Sequence, residues 1–411
     1  MLQAMGAIGA TSMAGCFGDD TDGNEIDYRD RSGAGDLEVY PEGFNESQDE
    51  ITVNPSLQPV EDSYRALISE ISAGNAPEVI GLDIVYLPRF VELGGIAQID
   101  DFYESLDYTD EFFDPLDEFI FWDDEAYGLP FWIDCSVYIY KRSHFEDAGL
   151  DPDNPPQTFE AFIEGCEDLQ EAGYDTPVSN TFGFTGLESF FYLPHVWAGG
   201  GGLFNDDMTE CIVDEEPGVE AAEFFLELQE KDLVTDQTQS EEFTYPAFFN
   251  ENTSIAYSGG TGLGIVRDES EELFEDLGCA AFPHPEGGES SSFLGGNCIT
   301  IAEQTTGSER EASEEFVEWV NTEEAMQLTV EELGYVPGRT SGLETEFVEE
   351  RQELYDPFIT ALEQGNTPMH PDFLEMQEPL NNALARILLG DQDPQPALTE
   401  AANSITEILQ R

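Results

Sequence analysis

Residues 60–83, VEDSYRALISEISAGNAPEVIGLD, decide the fold class. Tyr64, Leu67, Ile68 and Ile71 recur at three- and four-residue spacings, which sets them on one face of a helix from Val60 to Ala73. Gly74-Asn75 stops that helix, and Val79 to Leu82 then reads as a short buried strand ending at Asp83. The alternation extends both ways. Ile51 to Val53 reads as a strand, and Leu87 to Leu93 as a helix closed by Gly94-Gly95. Ala126 to Pro130 and Cys135 to Tyr140 read as strands flanking Phe131-Trp132-Ile133-Asp134. Thr158 opens a helix that Gly173 stops, Val219 to Glu230 is another, and Ser254 to Tyr257 is a strand broken at Gly259-Gly260. Helices over Glu309 to Asn321, Glu323 to Leu333, Pro379 to Leu389 and Pro396 to Leu409 complete an α/β chain.

The chain has 411 residues with 13 Lys plus Arg against 89 Asp plus Glu, a formal charge of −76. With 40% apolar residues and 29 Phe, 15 Tyr and 4 Trp, it has the material for a large core, which acidic disordered chains lack. Lys occurs only at Lys141 and Lys231, so a phosphate-binding nucleic-acid surface is excluded, and an anionic membrane would repel the protein. The acids are spread along the chain rather than gathered in a tail or in repeats, as a calcium buffer would have them. Self-repulsion on this scale demands screening. The composition therefore reads as that of a protein from a salt-accumulating halophile.

Met1 to Gly15 is small, apolar and uncharged, and runs into Cys16. Ser12-Met13-Ala14-Gly15-Cys16 resembles a lipobox, in which the Cys becomes a lipidated first residue, although the leader lacks a basic start. Residues 1–16 are thus expected to be a signal segment, and the Asp- and Gly-rich residues 17–36 an acidic tether. The other cysteines, Cys135, Cys166, Cys211, Cys279 and Cys298, are odd in number and have no CxxC spacing. They indicate neither a zinc site nor a full disulfide framework, leaving one or two bridges or buried thiols open.

Phe44-Asn45-Glu46-Ser47 with Ile51-Thr52-Val53, Ser72 to Val79, Asp83 to Asp100, Tyr127 to Pro130, Val137 to Phe145, Ala148 to Phe159, Trp197 with Gly199 to Phe204, and Gly334 to Arg339 form a series of blocks in order. Together they resemble the extracellular solute-binding proteins of ABC importers, in the carbohydrate-binding branch that includes the maltodextrin-binding proteins. The resemblance implies a two-lobe periplasmic-binding-protein-like fold of type II. Lobe 1 would take residues 37–134 plus 297–345 and lobe 2 residues 135–296 plus 346–411, with the ligand in the cleft between them. It further implies a monomeric receptor with no cofactor and no catalytic residues. Anchored outside the cell through Cys16, it would hand a sugar or oligosaccharide to ABC permease subunits. One departure stands out. Such proteins carry a first strand and a helix before the Phe44 block, whereas here only Leu37 to Tyr40 occupy that place, so the first lobe reads as shortened.

Sugar recognition uses aromatic faces for the C–H side of a pyranose, and carboxylates or amides for its hydroxyls. The resemblance points to Asp83 and Tyr86 after the third strand, Asp83 serving equally as a helix cap. It points to Trp132 and Asp134 at the first crossover, Trp132 being otherwise a core residue. Phe190 and Trp197 would stack from lobe 2, or simply pack. Tyr257, Gly260 and Thr261 match a turn whose usual aromatic is replaced by Thr261. Tyr335 and Arg339 fall in a closing loop, and Phe373 near a last stacking position. On this reading Trp132→Ala weakens binding about tenfold and leaves the fold intact.

The rival readings are weaker. A non-sugar solute (a polyamine, another small cation or an iron chelate) suits an acidic cleft, but acid everywhere removes the inference. Ala256-Tyr257-Ser258-Gly259-Gly260 fits a variant nucleophile elbow with His284 and His370 downstream, yet its glycines make a poor helix start. With four His, no HExxH, and Pro156 where a calcium loop needs Gly, no metal site is indicated. Asn45-Glu46-Ser47 and Asn252-Thr253-Ser254 are glycosylation sequons, consistent with export. The charge makes a direct prediction. The Debye length grows from about 3 Å at 1 M to about 30 Å at 0.01 M salt, so dilution should unfold the protein. Circular dichroism checks this, and an unchanged spectrum at low salt would contradict it.

Overall fold

The computed structural model describes residues 24–32, 37–113, 116, 119–179, 188–235, 245–390 and 392–411; Cys16 and the signal segment lie outside them. Its main strands are β1 (Glu25–Ser32), β2 (Thr52–Pro59), β3 (Val79–Asp83), β4 (Leu129–Cys135), β5 (Val137–Lys141), β6 (Val178–Ser179), β7 (Ile255–Ser258), β8 (Leu277–Ala281), β9 (Ser292–Ile301) and β10 (Val336–Pro337). The helices that position the site are α1 (Val39–Ser47), α2 (Val60–Ala73), α3 (Leu87–Glu92), α4 (Phe159–Ala172), α5 (Glu188–Ala198), α6 (Glu216–Glu230), α7 (Thr261–Glu269), α8 (Gln352–Glu363), α9 (Phe373–Gly390) and α10 (Pro394–Leu409).

Among the described residues the strands form two main sheets, in the orders β10-β4-β9-β3-β1-β2 and β8-β5-β7-β6. Each is the floor of one lobe of a two-lobe α/β fold. The lobes are joined at close quarters. Only Ser136 separates β4 of the first sheet from β5 of the second. The start of β9 runs beside it. Ser136 donates its N–H to the Phe293 carbonyl at 3.2 Å, and Ser292 Oγ donates to the Ser136 carbonyl at 3.0 Å. After β10 the chain crosses a third time, and α8 packs against β8 while α9 and α10 pack against α5 and α6.

The first lobe is not shortened as expected: it has both a first strand and a helix ahead of β2. Glu25–Ser32, assigned to the acidic tether, is β1, which lies between β2 and β3. Its inward side chains alternate, Ile26, Tyr28 and Asp30 all being buried while Glu25 and Asp27 face solvent. Phe44 to Ser47, where the resemblance begins, belongs to the helix that follows that strand. Asp30 is fully buried, a costly place for a carboxylate without partners. Tyr28 donates its hydroxyl to Oδ2 at 2.5 Å, and Asn297 Nδ2 donates to Oδ1 at 2.8 Å. The Asp30 side chain also forces Gly81, because a Cβ there would lie 2.0 Å from Oδ2.

Other expectations hold closely. The helix over Val60 to Ala73 has the expected limits, and Thr158 caps α4 by accepting from the Ala161 N–H at 3.2 Å. Two differ for identifiable reasons. Phe131 to Asp134 is no break between strands; β4 runs straight through it. Helix α9 begins at Phe373, six residues before the expected start, with Pro379 inside it rather than at its first turn. All five described cysteines are free and buried, so they pack as thiols.

Trp132 lies within β4 with 0% of its surface exposed, its ring tilted against Tyr335 at 4.8 Å. The expectation that Trp132→Ala spares the fold is therefore replaced. The substitution hollows the first lobe and should cost about 3–5 kcal/mol of stability. Denaturant titration in molar salt measures this, and a loss below about 1 kcal/mol would contradict the packing seen here.

Candidate functional site

The crossover builds the centre of the cleft. In β4, Asp134 is half-buried, and its Oδ1 accepts the backbone N–H of Gly260 at 2.5 Å. Gly260 follows β7 in the second lobe, so a first-lobe carboxylate is seated on a second-lobe turn. The turn must be glycine: a Cβ on Gly259 would stand 2.1 Å from Asp134 Oδ1. Thr261 starts α7 and bonds Tyr245, whose hydroxyl burial pushes up to about 12. Two residues past Asp134, Ser136 Oγ donates to the Phe190 carbonyl at 3.1 Å and so fixes the start of α5 against the crossover.

Aromatic side chains gather on the adjoining side. Phe190, Trp197 and Phe373 stand around Phe293 of β9, with centroids 4.4, 5.7 and 6.3 Å from it. Phe190 and Trp197 are half-buried, so part of each remains open, while Phe373 is covered.

A run of polar groups crosses between the lobes here. Asp83, at the carboxyl end of β3, accepts the Tyr64 hydroxyl. It makes no side-chain cap bond, which leaves the cap reading unsupported. Tyr64 packs edge-on against Tyr86 at 4.8 Å. Tyr86 donates its hydroxyl to Gln377 Oε1 at 3.1 Å, joining the first lobe to α9. Gln377 Nε2 reaches Ser189 Oγ at 3.4 Å, and the Ser189 N–H donates to Asn381 Oδ1 at 3.2 Å. Nearby, Arg89 pairs with Asp372 at 3.6 Å. Tyr64, Ser189, Gln377 and Asn381 escaped the sequence reading. One signal was available: Phe373, Gln377 and Asn381 are spaced four apart and share one helix face. Placing the helix start at Pro379 hid it.

The structure thus brings Asp83, Tyr86, Asp134, Phe190, Trp197, Gly260, Thr261 and Phe373 into one connected region. Four candidates stand elsewhere. Trp132 and Tyr335 pack on each other inside the first lobe. Tyr257 is 2% exposed in the second-lobe core, 4.7 Å from Phe282 and beside His195, which burial depresses to about 3. Arg339 is committed to Glu111 at 2.6 Å and lies over the Tyr108 ring at 4.1 Å. Bonds from Ser341 and Arg339 hold the Glu111 carboxyl below its ordinary range.

The nucleophile elbow fails on geometry rather than on its helix. Contrary to expectation, α7 does follow Ser258. The Ser258 hydroxyl, however, is 1% exposed and engaged with Tyr245 Oη and the Gly259 carbonyl, both at 2.9 Å. His284 Nδ1 meets the Pro285 carbonyl instead, and His370 Nδ1 accepts from the Asp372 N–H. Among the described residues, no group of three or more His, Cys, Asp or Glu is arranged to hold a metal.

Two α/β lobes with polar and aromatic groups meeting at the crossovers define a type II solute-binding protein. The sequence agrees: residues 41–355 match the family of bacterial extracellular solute-binding proteins, and the chain belongs to it. Such proteins bind solutes for ABC importers and are not enzymes. The sn-glycerol-3-phosphate-binding periplasmic protein of Yersinia enterocolitica is 21% identical, over 90% of this chain and 88% of that one. Among solved structures, a solute-binding protein of Thermotoga lettingae bound with α-D-tagatose superposes with a TM-score of 0.82 at 22% identity, covering 94% of this chain and all of that one. The maltose-bound MalE3 of T. maritima gives a TM-score of 0.83 at 18% identity, covering 93% and 99%. No helix among the described residues is long and apolar enough to cross a membrane.

Proposed function

We propose that this chain is the receptor of a sugar importer, taking a neutral polyhydroxylated solute between its lobes and passing it to the permease. The observation that carries this reading is the polar run Tyr86–Gln377–Ser189 beside the part-open rings of Phe190 and Trp197. Hydroxyl, amide and carboxylate groups next to aromatic faces are what a sugar ring needs. A phosphate ester such as sn-glycerol 3-phosphate would need a free cation. Arg89 and Arg339 are each already paired with a carboxylate, and the formal charge of −76 opposes an anion. Asp83, Asp134, Thr261 and the Gly260 N–H would supply the remaining contacts, with Phe373 backing the aromatic wall.

The lobes are assigned as 37–134 plus 297–345 and 135–296 plus 346–411, with β1 added to the first. Cys16 would anchor a monomer to the outer face of a halophile's membrane by lipidation.

A thermal-shift screen in molar salt tests the solute class, because a ligand of the native state alone raises Tm. Maltose, D-tagatose and ribitol are to be run beside sn-glycerol 3-phosphate and spermidine. A rise with a sugar or polyol is expected; a rise with only the phosphate ester or the polyamine would overturn the reading. Tyr86→Phe removes one hydroxyl bond and should weaken the binding found by about three- to tenfold. Unchanged affinity would mean that the solute sits elsewhere.

A further inference from the structure

Two sequons occur in the chain, and the fold treats them oppositely. Asn45 is half-buried on α1 and closes a two-way clamp on the strand beside it. Its Nδ2 donates to the Val53 carbonyl at 2.9 Å, and its Oδ1 accepts the Val53 N–H at 2.8 Å. A sugar on that nitrogen would crowd the start of β2. Asn252 is exposed, in the turn that leads into β7, and its side-chain amide makes no hydrogen bond to the described residues. The turn beneath it is nonetheless well held. The Asn250 carbonyl accepts from buried Lys141 Nζ at 2.8 Å and from the Thr253 N–H at 3.3 Å, and Asn250 Oδ1 accepts the Asn252 N–H at 3.4 Å. A group attached at Asn252 therefore stands on a fixed base and disturbs no contact.

We propose that Asn252 carries an N-linked glycan in the exported protein and that Asn45 does not. The Asn252 Nδ2 attacks C1 of the first sugar of a polyprenyl-phosphate-linked oligosaccharide. The bond from C1 to the phosphate oxygen breaks, the lipid phosphate leaves with the electron pair, and the amide proton passes to a base of the transferase. Timing follows from the third sequon residue. The Ser254 hydroxyl that a transferase must read is 0% exposed and shared with His144 Nδ1 at 2.9 Å. Attachment therefore precedes folding of this lobe, and a chain modified at Asn45 would lose its clamp and drop from the folded population. The glycan also clears the cleft. Asn252 lies before β7, and the Gly259–Gly260 turn lies after it; four strand residues alone span about 13 Å. A polar cover there shields one exposed turn without obstructing solute entry.

The test is glycopeptide mass spectrometry on protein purified from its own cells. The expected result is a glycan mass on the Asn252 peptide, an unmodified Asn45 peptide, loss of that mass in Asn252→Gln and Ser254→Ala, and its retention in Ser254→Thr. Asn252→Gln touches no fold contact, so its melting temperature should match that of enzymatically or chemically deglycosylated wild type. An unmodified Asn252 peptide, or a glycan at Asn45 of the folded protein, would overturn the assignment. The assignment rests on export and not on the solute, so a glycosylated chain that binds no sugar leaves it standing.

Discussion

The seating of Asp134 on the Gly259–Gly260 turn is the contact on which the rest of the cleft depends. A single residue, Ser136, carries the chain from one sheet to the other, so whatever holds β4 at that point also sets the angle between lobes. A carboxylate accepting a backbone N–H is stronger than a neutral pair, and the absence of Cβ atoms lets the two segments meet closely. Ser136 then bonds both β9 and the Phe190 carbonyl, which ties the second crossing and the first turn of α5 to the same spot. From there Phe293 organises the aromatic side, and α9 brings Gln377 and Asn381 across to Tyr86 and Ser189. The candidate site is thus a consequence of how the lobes are joined.

Charge shapes the molecule differently inside and out. Outside, the acids far outnumber the cations, 89 against 13 over the whole chain, so the charge repels itself. Inside the first lobe, Asp30 holds a buried carboxylate against Tyr28 and Asn297, and Gly81 leaves it room. Asn297 belongs to β9, whose partners β3 and β4 carry Asp83 and Asp134. A buried polar node at the sheet centre therefore helps fix the register that aims both carboxylates.

Much of this was legible beforehand, for physical reasons. The helix over Val60–Ala73 and the strand over Val79–Asp83 obey simple periodicities, and the ordered blocks from Phe44 to Arg339 indicated the two-lobe class. β1 was not legible, because Ile26 and Tyr28 are its few apolar marks in a stretch that composition reads as tether. Asp83, Tyr86, Asp134 and the Gly260 turn lie beside strand ends as expected, because short-range position relative to a strand end fixes where a side chain goes. The burial of Trp132, Tyr335 and Tyr257 and the pairing of Arg339 were not legible, since both depend on partners far along the chain: Trp132 meets Tyr335, and Arg339 meets Glu111. Gln377 and Asn381 went unseen because an internal proline mimics a helix start.

The central claim is that the crossover region binds one solute and does nothing chemical to it. Equilibrium dialysis in molar salt against radiolabelled maltose, or whichever sugar or polyol raises Tm, tests it most directly. Saturable uptake of one solute per chain, recovered unaltered and diminished in Asp134→Ala, is the predicted result. No saturable uptake, or recovery of a chemically altered solute, would contradict it.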